Sequence, residues 1–116
     1  MNIIFKTNEI AVADKYTVLE LDTFRLADGT LHTACCVIEN IPIPELPQTA
    51  SFKQLHADLI LNYGLQDWNY CEQAIEQLTG KWGGECDTFY ADLLTRIDLL
   101  KTQILDDDWT PVILKD

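Results

Sequence analysis

The sequence predicts an α+β fold, in which an N-terminal antiparallel β-meander or hairpin packs against three C-terminal α-helices and a short C-terminal strand follows. Three observations carry this prediction. The first forty residues are rich in β-formers arranged around an Asp-Gly pair, a proline-rich stretch then interrupts them, and from Ser51 onward apolar residues recur at helical spacing. A chain of 116 residues fits one domain. Its strands fall within about residues 3–40, a connector spans 41–49, and helices cover about 51–63, 68–79 and 85–105.

Thr17 to Phe24 forms the first long strand, and Leu31 to Ile38 follows after Ala27-Asp28-Gly29-Thr30. Asp28-Gly29 suits a two-residue primed turn, since both central residues tolerate positive φ. Such a turn pairs Ala27 with Thr30. It sets Leu19 opposite Ile38, Leu21 opposite Cys36, Thr23 opposite Ala34 and Arg25 opposite His32. Leu19, Leu21, Ala34, Cys36 and Ile38 make the greasier face and are assigned to the core. Glu20, Asp22 and Glu39 then point to solvent, with Phe24 opposite Thr33 on that second face. Two shorter strands, around Ile3–Lys6 and Ile10–Ala13, extend the meander.

Three prolines between Ile41 and Pro47 forbid regular helix and most ladder bonding, so an extended connector is expected there. Ser51 with Gln54 forms a capping box that opens the first helix, whose apolar face carries Phe52, Leu55, Leu59, Ile60 and Tyr63. Gly64 supplies a left-handed stop, after which Leu65 folds back on Ile60. Asp67 caps a second helix bearing Trp68, Cys71, Ala74, Ile75 and Leu78, which ends at Gly80. Lys81 to Gly84 reads as a tight turn. The third helix has the longest stripe, Cys86, Tyr90, Leu93, Ile97, Leu100 and Ile104, widened by Phe89 and Leu94. Thr110 to Leu114 returns as a short strand.

Nineteen acidic against eight basic residues give a formal net charge of −11. Such a field repels phosphate backbones and favours basic partners. The N-terminus lacks a basic region followed by a long apolar run, which points to a cytoplasmic protein. No apolar stretch approaches the ~20 residues of a membrane helix, so no membrane association is expected. Without a secretory signal, Cys35, Cys36, Cys71 and Cys86 read as reduced, buried thiols. Their spacing fits no zinc motif, and no metal or other cofactor is expected.

Cys86 is the most tempting nucleophile, because a helix start lowers a thiol pKa. However, Glu85 and Asp87 flank it, it lies in the apolar stripe, and no histidine follows His56 to act as base. His56, within the apolar arc of the first helix, reads as a hydrogen-bonded core residue. His32 near the hairpin end carries no evident chemistry. Glu20, Asp22 and Arg25 at strand spacing read as a solvated face. No catalytic residue is therefore assigned. Trp68, Tyr70, Trp82 and Tyr90 cluster near the last two helices and suggest packing or an aromatic groove. The candidate contact residues are Leu61, which projects opposite the apolar face of its helix, Trp82, and the run Asp106, Asp107, Asp108 with Trp109 beside it.

The resulting expectation is a non-enzymatic interaction module that binds a protein partner or itself. One alternative is a nucleic-acid-associated protein whose last two helices form a helix-turn-helix-like pair. The acidic opening of the third helix, at Glu85, Asp87 and Asp92, argues against direct nucleic-acid binding. The other alternative is an acidic inhibitor that mimics nucleic acid in a basic groove.

Overall fold

The computed structural model describes residues 2–6 and 17–114. Among these residues four strands, β1 (Asn2–Lys6), β2 (Thr17–Arg25), β3 (Leu31–Ile38) and β4 (Ile113–Leu114), flank three α-helices, α1 (Thr49–Gly64), α2 (Trp68–Leu78) and α3 (Asp87–Leu100). The sheet order is β1-β3-β2-β4. β1 pairs antiparallel with β3 rather than with β2, and β4 runs parallel to β2 at Phe24 and Arg25. The α+β arrangement expected from sequence is thus present, including the short last strand. The expected strand at Ile10–Ala13 lies outside the described residues.

The hairpin turn differs from the expected one. Leu26 N–H donates to the Thr30 carbonyl and Gly29 N–H to the Leu26 carbonyl, both at 2.9 Å, with Gly29 at φ +87°. Three loop residues thus replace two, and the left-handed glycine forms a bulge after the turn. Asp28 does not tolerate the turn passively: its Oδ1 accepts from Thr30 N–H at 3.0 Å and from the Thr30 hydroxyl at 2.6 Å. The wider loop slips the register by one residue, giving Phe24 opposite His32 and Thr23 opposite Thr33. A second irregularity, between Glu20 and Thr23, slips it once more, giving Leu19 opposite Cys36 and Thr17 opposite Ile38.

Because side chains alternate with period two, two single slips restore the original faces. Leu19, Leu21, Ala34, Cys36 and Ile38 are therefore buried as expected, although every pairing differs. Between the two slips the faces are exchanged. Phe24 turns toward the core rather than away from it. Asp22, at the irregularity, turns from its expected solvent face to α3, where Arg96 grips it through both nitrogens at 2.8 and 2.9 Å. β3 lies between β1 and β2, and Cys35 and Val37 on its other face are buried as well.

One cluster of buried side chains draws on β2, β3 and all three helices. α2 follows its sequence signals: Asp67 accepts from Tyr70 N–H at 3.2 Å, Cys71, Ala74, Ile75 and Leu78 are buried, and Gly80 follows at φ +87°. Elsewhere the helix limits move. The proline stretch is a 3₁₀ helix (Ile43–Gln48) rather than extended chain: Pro44 near its start lacks only an N–H that would have no partner there, whereas Pro47 lies inside it. It feeds directly into α1 at Thr49, so Ser51 is a helical residue and not a cap. Gly64 remains helical. Gln66 takes the left-handed conformation at φ 64°, and Leu65 is exposed instead of folding back. Gly64 faces Pro111, whose ring a β-carbon there would meet at an ordinary contact distance of 3.6 Å, so neither space nor backbone conformation demands a glycine. α3 stops at Leu100 in successive tight turns, Thr102 N–H to Leu99 and Gln103 N–H to Leu100, and Ile104 is fully exposed.

Candidate functional site

The buried polar groups form a closed relay. His56 is 2% exposed, the single polar residue in the core among the described residues. Its Nε2 lies 2.6 Å from the Glu20 carbonyl, and its Nδ1 lies 2.9 Å from the Tyr90 hydroxyl. A carbonyl can only accept, so Nε2 carries the hydrogen and Nδ1 accepts from Tyr90. The Tyr90 oxygen in turn accepts from the Trp82 indole N–H at 3.1 Å. Burial holds the His56 pKa below its ordinary value, against the opposing pull of Glu20. The imidazole is neutral, with both nitrogens occupied. As expected from sequence, it is a satisfied core histidine.

Cys86 is equally remote from nucleophilic chemistry. It is fully buried at the N-cap of α3. Its hydrogen bond with the Cys36 thiol, then burial, then the nearby Cys36, Glu85 and Asp87 charges push its pKa far above the usual thiol range. Burial likewise pushes Cys71 up to about 11. Both sulfurs are held as thiols, where the helix start alone would have favoured a thiolate. Among the described residues, no group of three His, Cys, Asp or Glu is placed to hold a metal ion, and no helix is long and apolar enough to cross a membrane.

The residues picked from sequence as contacts do not converge. Leu61 is 60% exposed and lines a groove of about 440 Å³ between α1 and β2, together with Val18, Lys53 and Ile60. Trp82 is 1% exposed, so it is a core residue and presents no contact surface. It adopts φ 58°, where a bulky side chain is strained, and its N–H is held by the Glu45 carboxylate at 2.8 Å. Asp106, Asp107 and Asp108 are exposed on a turn closed by Trp109 N–H to the Asp106 carbonyl. Trp109 itself is half-buried, edge-on to Tyr63 and Trp68 with ring centroids about 6 Å away, and fastens the C-terminal segment to the helices. The expected aromatic cluster is thus divided: Trp68 packs with Tyr63 and Trp109, Trp82 with Phe52, and Tyr90 with His56 and Phe89.

Sequence reasoning missed a surface that the sheet order creates. Phe5 pairs with Ala34 and Ile3 with Cys36, so both β1 residues share the core face of β3. Phe24 and His32 lie on that same face at the hairpin end. The helices do not reach this far. Ile3, Phe5 and Leu26 are 43%, 54% and 38% exposed. Phe5 and Phe24 meet edge-on at 6.3 Å, and with Leu26 and His32 they line a cleft of about 360 Å³ with no carboxylate among the described residues of its wall. The only sequence signal was Phe5 two residues after Ile3, and it could not reveal which strand lies beside β1.

The basic groups of the last helix are engaged as well: Arg96 by Asp22 and Asp92, and Lys101 at its end by Glu72. No protein-family model matches the chain, and no curated protein or solved structure is significantly similar to it.

Proposed function

We propose that this chain is a protein-interaction module whose contact surface is the uncovered end of its sheet. The observation that carries this reading is the apolar face shared by Ile3, Phe5, Phe24 and Leu26, which continues the core beyond the edge of the helical layer. Exposed aromatic side chains gathered around a cleft favour association, because covering them removes apolar surface from water without disturbing the fold. The strong negative charge elsewhere keeps the rest of the surface in water and discourages indiscriminate contact. Nucleic acid is a poorer partner. Arg96 and Lys101 are neutralised by carboxylates of this same chain, and nothing basic opens α3.

The test is Phe5→Glu, which places a charge on the exposed edge strand. The wild-type chain should self-associate in light scattering, or capture a partner that cross-links to β1 and the hairpin. The variant should lose that complex at unchanged circular dichroism and melting temperature. Equal association by wild type and variant would remove this surface from consideration.

A further inference from the structure

We propose a second docking site, the groove between α2 and α3, with a basic amphipathic helix of a protein partner as its occupant. The groove encloses about 590 Å³ and is lined by Glu72, Ile75, Glu76 and Thr79 from α2 and by Leu94 and Asp98 from α3. Its floor is apolar: Ile75 is buried and Leu94 half-buried against the core. Its rim is anionic on both walls. Glu72 and Glu76 stand one turn apart on α2 and run along the groove, and Asp98, one turn after Leu94, is the single carboxylate that α3 adds to the lining. From Glu72 to Thr79 the trough is roughly 10 Å long at 1.5 Å per residue, about two helical turns.

The floor and the rim together select the occupant. An apolar floor between two helices accepts apolar anchors at i and i+3 or i+4, and carboxylates on both walls accept Lys or Arg on either side of those anchors. A basic amphipathic helix presents that pattern. Lys101 shows the chemistry in miniature, since its ammonium is already held by Glu72 at one end. Among the described residues, no cation lies within ion-pair distance of Glu76 or Asp98. A second copy of this chain is disfavoured as occupant. Residues 59–116 alone carry eleven acidic against four basic groups, so two such surfaces repel each other.

The probe is a synthetic 14-residue peptide of Leu and Lys with the leucines at helical spacing, titrated into the labelled protein by NMR at about 0.15 M salt, where the screening length is about 8 Å. A peptide of the same composition in scrambled order is the control. Shifts should concentrate on the amides of Glu72, Ile75, Glu76, Thr79, Leu94 and Asp98. The exposed double variant Glu76→Lys with Asp98→Lys should weaken binding at least about tenfold, because it sets like charges against the peptide. Asp106→Lys with Asp107→Lys makes the same change of net charge on the remote turn and should alter affinity by less than about twofold. Four results would overturn the proposal: equal loss in both double variants, equal binding of the scrambled peptide, shifts centred elsewhere, or no shifts. None of them bears on the sheet-end surface, which Phe5→Glu judges independently.

Discussion

Replacing Tyr90 by Phe removes one oxygen from the centre of the molecule and tests the relay directly. That oxygen serves two buried partners, accepting from the Trp82 indole and donating to His56 Nδ1. A buried polar group left without a partner costs about 1–3 kcal/mol. The variant strands one donor and one acceptor, and the hole left by a hydroxyl is smaller than the roughly 30 Å³ share of a water molecule, so solvent does not restore the bonds. A loss of about 2–4 kcal/mol follows, after partial relaxation of the surrounding rings. A chain of this size has a total stability on the order of 6–17 kcal/mol, so the loss is a sizeable fraction of it. With a urea slope of roughly 1.5 kcal/mol per molar, the unfolding midpoint falls by about 2 M. Tyr70→Phe, away from the relay, is the control and should stay within about 0.5 kcal/mol. Nitrogen NMR of His56 should show hydrogen on Nε2 in the wild type. A loss under about 1 kcal/mol for Tyr90→Phe, or hydrogen on Nδ1, would refute the reasoning.

Two further outcomes rest on the same packing. His56 has its folded pKa lowered by burial, so between the unfolded value near 6.5 and the lower folded value the unfolded chain binds the extra proton. Stability from this group is complete above pH 6.5 and declines as pH falls, by at most about 1.4 kcal/mol per unit. Urea unfolding of wild type and His56→Gln from pH 7.5 to 5.5 should show that decline in the wild type alone, and parallel curves would contradict the assignment. Arg96→Met leaves the Asp22 carboxylate, only 14% exposed, without its bidentate partner. It should cost about 1–3 kcal/mol, below the figure for a fully buried pair because Arg96 is partly solvated. Adding Asp22→Asn should recover part of that loss in the same unfolding measurement, and a single-variant effect under about 0.5 kcal/mol would count against the pair as a structural tie.

What the sequence conveys is set by the range of each signal. Asp67 and Gly80 bracket α2 because capping and left-handed termination act within one turn of chain. The core face of the hairpin survives an erroneous register because it depends only on parity, and the two slips cancel in parity. The slips themselves were not legible. The two-residue and three-residue loops both use Asp28-Gly29, and the irregularity between Glu20 and Thr23 coincides with two tertiary contacts that no local signal announces, His56 on the Glu20 carbonyl and Arg96 on Asp22. Ile104 continues the apolar spacing of α3, yet periodicity does not say where the opposing sheet ends. The helix terminates where there is nothing left to cover.

The same limit explains why contact residues read from sequence scatter over the molecule. Trp82 looked available because it sits among glycines, but a left-handed turn drives the indole inward, where Tyr90 receives its N–H. Trp109 looked like an anchor beside three carboxylates, but its ring is already held by Tyr63 and Trp68. Conversely, Phe5 looked like one more strand residue, and its exposure follows entirely from β1 pairing with β3 at the margin of the sheet. A residue's chemistry is local, whereas its availability depends on which layer extends further. Here the sheet outruns its helices at Phe5 and Phe24, and α2 and α3 leave a trough above Ile75 and Leu94. The first surface arises where one packed layer extends past another and the second from side chains that two neighbouring helices bring together, and neither from any motif along the chain.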